Sequence, residues 1–304
     1  MSSPSVLDVV TAPASAIGKY FSVLSVVPST LFAGYLYGLL AADPWRGAPN
    51  WSQAGHSFTK LGFGGVAALG LVSLFIGLVL QPLQFSLVQF CEGYWGTNRT
   101  AQAVMNRRIH YHREVRAYLV RLRGSAHGRL TAANQSPTNP GADWVDNEHL
   151  PDLTEYGEAT RLLTRYPRNR NDVRPTRLGN VLRRHEADAG SAYQLPGVTV
   201  IPHLALVAPS EDVAYLDDRR TQMDLAVRLA VLSAVATACT TLALWRSGLW
   251  LLLALAPYAA TYLFYRGAVG LAQGYGTALA ILIDLNRLTA SVCTTASAWS
   301  HRLT

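Results

Sequence analysis

Residues 62–90 read GFGGVAALGLVSLFIGLVLQPLQFSLVQF, a run without a single charged side chain. A helix needs about 20 mostly apolar residues to cross a bilayer core. The run is therefore long enough to span and to continue past Gln81-Pro82. Three other windows share the property. Tyr20 to Ala42 carries no charge, Leu225 to Trp245 is marred only by Arg228 at its start, and Leu249 to Tyr265 holds Pro257. The reading is all-α: a polytopic membrane protein with spans at about 20–42, 62–82, 225–245 and 249–265. A helical cytoplasmic domain is inserted between spans two and three.

Composition agrees. The 304 residues are 50% hydrophobic and 15% charged, whereas a soluble domain carries about 25% charged residues. That deficit argues against a disordered chain, a disulfide scaffold or an ordinary soluble enzyme. Cys91, Cys239 and Cys293 sit in apolar stretches without CxxC spacing, and read as reduced, buried thiols. The N-terminal segment holds Asp8 and a single Lys19, and its apolar run is too long for a signal peptide, so it reads as a retained span.

Orientation follows from basic residues near the span ends. Arg46 and Lys60 lie between spans one and two, and Arg246 between three and four. Arg99, Arg107, Arg108, Arg113 and Arg116 follow span two, and Arg219 and Arg220 precede span three. The central segment is expected inside, with both termini. Trp45, Trp51, Trp245 and Trp250 then mark the outer interface, and Tyr94 and Trp95 the inner one. Gly34/Gly38 and Gly270/Gly274 have the spacing that lets helix backbones approach.

The chain divides into 1–95, an N-terminal segment and hairpin; 96–224, the Arg-rich domain; 225–266, a second hairpin; and 267–304, a C-terminal amphipathic helix and tail that either continues span four or lies at the interface. Within the domain, Thr100 to Arg123 is helical by periodicity, Ser125 to Thr154 reads as a loop, and Glu155 to Thr164 as a short helix. Tyr166 to Pro175 is a turn-rich break, and Thr176 caps a helix to about Tyr193. VTVIPHLALV, residues 198–207, is too short to span. A further helix starts at Ser210 with Glu211 and Asp212 in its first turn, and is expected to run unbroken into span three. Span two is likewise expected to reach toward Trp95. At 1.5 Å per residue a 34-residue helix is about 51 Å long, against a core near 30 Å, so both helices are expected to project inward as a stalk.

Charge comes in blocks. Residues 99–129 hold eight Arg and one acid, 143–158 hold six acids and no Lys or Arg, and 161–184 hold eight Arg and one acid. Arg107, Arg108, Arg113 and Arg116 are candidate contacts for anionic lipid headgroups or an anionic ligand. The competing reading is that the acidic block neutralises the basic ones. Without a nucleic-acid reading module, nucleic acid is a poor fit. Glu92, Arg228, Arg266 and Asp284 sit in or beside apolar helices, where charge is costly unless paired or wet. Glu92 paired with Arg228 or Arg266 reads as a salt bridge fixing helix register. Alternatively these charges line an aqueous vestibule or snorkel to water.

No Walker A, GxGxxG, GxSxG, HExxH or zinc-finger pattern occurs, so no catalytic, cofactor-binding or metal residues are assigned. His110 and His112 point to different helix faces, and His185 falls on an apolar stripe as a packed histidine. Asp217 to Arg220 reads as solvated pairs.

PTRLGNVLRRHEADAGSAYQLPGVTVIPHLALVAP, residues 175–209, and QPLQFSLVQFCEGYWG, residues 81–96, resemble segments of an uncharacterised bacterial multi-span integral membrane protein family with no assigned activity. Together they cover under a fifth of the chain. The resemblance implies a bacterial inner-membrane protein and carries no site residues. The four-span layout with a large inner loop is similar to that of bestrophin-type anion channels, but their apolar neck motif is missing, so the likeness is one of layout.

The expected function is that of a membrane-anchored interaction or sensing module acting through its cytoplasmic domain. Its expected partners are the bilayer, anionic headgroups and a cytoplasmic protein. An oligomeric ion channel or transporter built from copies of the chain is the alternative, and a membrane enzyme acting on lipid the third.

Overall fold

The computed structural model describes residues 26–46, 48–135, 149–189, 191, 204 and 208–286. Of these, 86% are helical and none lies in a strand. The helices are α1 (Val27–Ala41), α2 (Trp51–Thr59), α3 (Phe63–Glu92), α4 (Arg99–Gln135), α5 (Leu150–Leu163), α6 (Arg177–Asp188), α7 (Ser210–Ala243) and α8 (Leu255–Leu285).

Three helical stretches are long and apolar enough to cross a membrane: Phe63–Glu92, Ser210–Ala243, and Gly248–Leu285, in which a 3₁₀ turn over Gly248–Ala254 leads into α8. The expected first span is described only as α1, whose 15 residues are apolar but short of that length; residues 20–25 fall outside the described part. Pro28 sits at the start of α1 and Pro257 in the first turn of α8, where a missing N–H costs no intrahelical bond. Pro82 lies inside α3. As expected, α7 runs unbroken from Ser210, and α3 continues to Glu92. The segment after the window expected as span four continues that helix to Leu285 rather than beginning a new one.

The chain forms two compact units: Met1–Val88 with Asp218–Leu271, and Gln89–Asp217 with Ala272–Thr304. In the first unit, α1 packs on α2, a helix the sequence reading missed. Asn50 caps α2 by accepting from the Gln53 amide at 3.1 Å. Tyr37 and Phe58 meet edge-to-face at 4.9 Å between ring centroids. Phe58 lies over Gly38, so that glycine admits an aromatic ring, while Gly34, Gly270 and Gly274 have nothing within 4 Å of a built Cβ. Trp51 and Trp250, both expected at one interface, lie 5.9 Å apart.

In the second unit, α4 and α5 form an antiparallel hairpin. Arg129 reaches Asp152 and Glu155 near one end, His127 stacks by Tyr156, and His112 meets Tyr166 just past the other end of α5. The sequence reading ended α4 at Arg123 and made Ser125 to Thr154 a loop. Instead α4 runs to Gln135 and α5 begins at Leu150. Ala126 and Ala159 are fully buried, and that burial with the Arg129 ion pairs outweighs the poor helix propensity of Gly124 and Gly128.

Helix α6 is the hub of this unit. Thr176 caps it, accepting from the Gly179 amide at 3.0 Å. Leu178, Val181 and Leu182 are buried. Gly179 lies so close to the end of α3 that a Cβ there would overlap the Glu92 carbonyl oxygen. Gly93 ends α3 with φ +104°, against Pro175. Gly276 of α8 sits on the His185 ring in the same way. Below it, Ala189, Leu204, Leu279 and Ile283 form an apolar cluster flanked by Leu216. Leu204 is the one described residue of the 198–207 run, and it is buried.

These close approaches predict opposite signs for two glycine substitutions in thermal unfolding. Gly179→Ala should destabilise by about 1–3 kcal/mol, because the overlapped atom is backbone. Gly128→Ala, exposed in α4 with open space around it, should stabilise by about 0.5–1 kcal/mol.

Candidate functional site

In the apolar unit several polar side chains meet across helices. The Thr30 and Ser73 hydroxyls are 2.6 Å apart, and Tyr35 and Thr240 likewise 2.6 Å. Arg228 is 1% exposed; its Nε donates to Gln84 Oε1 at 2.9 Å, and Gln84 Nε2 donates to the Asp224 carbonyl at 3.1 Å. One glutamine thus ties α3 to α7. The sequence reading offered Glu92 as the partner of Arg228, and missed Gln84 because an amide within an apolar run carries no charge signal. Arg266 is exposed and folds over the Tyr262 ring at 5.7 Å, with its Nη1 3.4 Å from the hydroxyl. Asp284 is exposed, two residues before Asn286, whose amide donates to Asp212 at 3.2 Å.

In the basic unit the turn from Tyr166 to Asp172 makes one 3₁₀ bond, from the Asp172 amide to the Asn169 carbonyl at 3.2 Å, and leaves neighbouring carbonyls to other donors. Arginines supply them. Arg116 Nε donates to the Pro167 carbonyl at 2.9 Å, and one Nη to the Arg168 carbonyl. Arg113 Nε donates to the Arg170 carbonyl at 3.2 Å, and Arg184 Nη1 to that of Tyr166 at 3.4 Å. Asn180, 1% exposed, grips the next stretch: it accepts from the Arg174 amide at 2.8 Å and donates to the Arg174 and Thr176 carbonyls at 2.9 and 2.7 Å. Two of the four candidate anion contacts, Arg113 and Arg116, are therefore internal struts. Arg107 and Arg108 remain exposed, with Arg108 over the Tyr111 ring at 5.8 Å.

Much of the acidic charge is consumed locally. Arg129 pairs with Asp152 at 2.7 Å and Glu155 at 2.5 Å. Asp188 takes Arg168 at 2.9 Å and Arg184 at 2.5 Å, and Arg183 lies 3.5 Å from both Asp172 and Glu186. Burial, then the like charges of Arg184, Arg170 and Arg123, lower the Arg116 guanidinium below its ordinary value.

A small cleft beside α6 is lined by Glu92, Tyr94, Arg174, Arg183 and Glu186, with Arg174 stacked on the Tyr94 ring at 5.1 Å. Its free volume of about 10 Å³ admits a water and no organic substrate. His110 is exposed and 3.4 Å from Glu114. His112 is 1% exposed, with Nδ1 3.1 Å from the Tyr166 hydroxyl.

The sequence matches no protein-family model, and neither a curated protein nor a solved structure is similar to it.

Burial, with Arg108 and Arg177 nearby, pushes His112 from 6.5 down to about 4, against the opposing pull of the Pro175 carbonyl. The unfolded chain takes up this proton near pH 6.5 and the native one only near 4. Stability should therefore fall as pH drops through that window, on the order of 3 kcal/mol in all. Melting curves across it should be steeper for the wild type than for His112→Gln; parallel curves would remove His112 as the cause.

Proposed function

We propose that the chain is a four-span protein of a bacterial inner membrane that acts as a membrane-anchored interaction or sensing module. In this reading α1, with the residues before it, supplies the first span. The segment 96–224 lies on the cytoplasmic side with both termini. The excess of Arg after span two and before span three over the loop carrying Arg46 and Lys60 supports this orientation. The single observation carrying the function is the fixed surplus of positive charge on the basic unit. Among the described residues Asp152 and Glu155 are taken by Arg129 toward the far end of α4, while Arg107 and Arg108 stay exposed near its start. Such a face attracts an anionic surface or ligand.

The channel reading is motivated by Glu92, Arg228 and Arg266 at the inner membrane boundary, with Pro28, Pro82 and Pro257 in or near the spans. Arg228 spends its Nε on Gln84 and Arg266 folds over Tyr262, which favours the module reading.

The test uses full-length protein in neutral nanodiscs, mixed with vesicles rich in phosphatidylglycerol. Arg107→Gln with Arg108→Gln removes two exposed charges without touching the turn. At roughly 1 kcal/mol per arginine near an anionic surface, vesicle affinity at low salt should fall about thirtyfold. Unchanged affinity would remove the lipid version of this function.

A further inference from the structure

Helix α3 is the least covered of the three stretches long enough to span. Of its most apolar 18 residues 17% are buried, against 39% for Ser210–Ala243 and 44% for Gly248–Leu285. Its covered edge carries Ser73 and Gly77, with Gln84 on the same edge holding Arg228. A second line runs beside that edge. Ala67, Leu71, Leu74, Leu78, Gln81 and Phe85 are all exposed, at successive spacings of four, three, four, three and four residues. That alternation is the seam by which one helix packs on another.

Gln81 is the polar member of this line. Its carboxamide has two donors and one acceptor oxygen, and among the described residues nothing hydrogen-bonds it. Its depth follows from its neighbours. Helix α1 touches Ser73 of α3 and Thr240 of α7, so from the Gln84–Arg228 bond α3 and α7 run in opposite chain directions toward α1. The apolar window of α7 opens at Leu225, three residues before Arg228, and Gln81 lies three residues beyond Gln84 on the same side. At 1.5 Å per residue Gln81 is about 9 Å inside the edge of that window. Pro82 adds to the polar deficit, because it has no N–H and the Leu78 carbonyl one turn earlier loses its helical donor. With α3 across a bilayer, an unpartnered amide at this depth faces hydrocarbon, which is costly.

The group that best satisfies a carboxamide on such a line is the same carboxamide on an identical line. Each donates to the other across a two-fold axis, and one polar residue in an apolar seam also fixes register. We propose that two copies of the chain pair through this face of α3, with their Gln81 side chains hydrogen-bonded to one another inside the membrane. The pairing rests on the membrane-spanning part of the function proposed above and not on its anionic partner.

Full-length protein is reconstituted into phosphatidylcholine vesicles at high dilution in lipid, and copies per particle are counted by single-molecule photobleaching. The wild type should be dimeric. Gln81→Leu removes an exposed amide that holds nothing within the chain, so the variant should insert as the wild type does and pair about tenfold more weakly. With Cys91, Cys239 and Cys293 replaced by Ala, Leu74→Cys and Leu78→Cys should cross-link between copies on oxidation. Val72→Cys and Val79→Cys, exposed on another side of α3, should not. A wild type that inserts as a monomer would mean that lipid or the chain's own remaining residues cover the face, and would overturn the pairing alone. A Q81L protein that pairs as tightly as the wild type would overturn it too, as would cross-links at Val79 in place of Leu78. Protein that fails to insert into vesicles would instead remove the membrane reading itself, and the pairing with it.

Discussion

The grip of Arg116 on the backbone of the Pro167 turn is the contact on which the basic unit depends. A chain that leaves helix α5 and must re-enter helix α6 within about a dozen residues exposes carbonyls that have no helical partner. Unpaired backbone groups are costly when water is excluded. The sequence answers with side chains that reach across from neighbouring helices: Arg113 and Arg116 from α4, Arg184 from α6, and Asn180 just behind them. Carbonyls as acceptors leave the guanidinium charge intact. An acid in their place would have held the turn and cancelled the charge. The structural solution and the electropositive surface thus have one origin.

The apolar unit works by a different economy. Its longest helices are long and apolar enough to cross a membrane, so packing and a few polar contacts must set their register. Gln84 serves here: it accepts from a buried arginine with one end and donates to a backbone carbonyl with the other. The Thr30–Ser73 and Tyr35–Thr240 contacts do the same for other helices at lower cost, because hydroxyls are small and uncharged.

What the sequence made legible was what repeats or runs long. Uncharged stretches announced α3, α7 and α8, and Thr176 announced the start of α6, because a capping hydroxyl acts on neighbours in sequence. The Ser210 start was readable for the same local reason. What stayed hidden was set by partners distant in sequence. The second half of α4 looked like a loop until the buried Ala126 and the Arg129 ion pairs gave its glycines a reason to stay helical. Glycine pairs at membrane spacing looked like contact points, yet among the described residues the tightest contacts fall at Gly93, Gly179 and Gly276, which have no such spacing. The arginine block was visible, but its division into struts (Arg113, Arg116) and exposed charges (Arg107, Arg108) was not, since helical periodicity says nothing about which carbonyls lie opposite.

The most direct test of the central claim is amide hydrogen exchange at Asn171 and Asp172 in the wild type and in Arg116→Lys. Both amides donate within the turn, to the Asn169 side chain at 3.0 Å and the Asn169 carbonyl at 3.2 Å. A lysine keeps the charge but lacks the planar pair of donors that spans two carbonyls. If the arginine grip holds the turn, both amides should exchange at least about tenfold faster in the variant, the cost of one lost hydrogen bond to a charged group. Equal exchange in the two proteins would show that the turn holds itself.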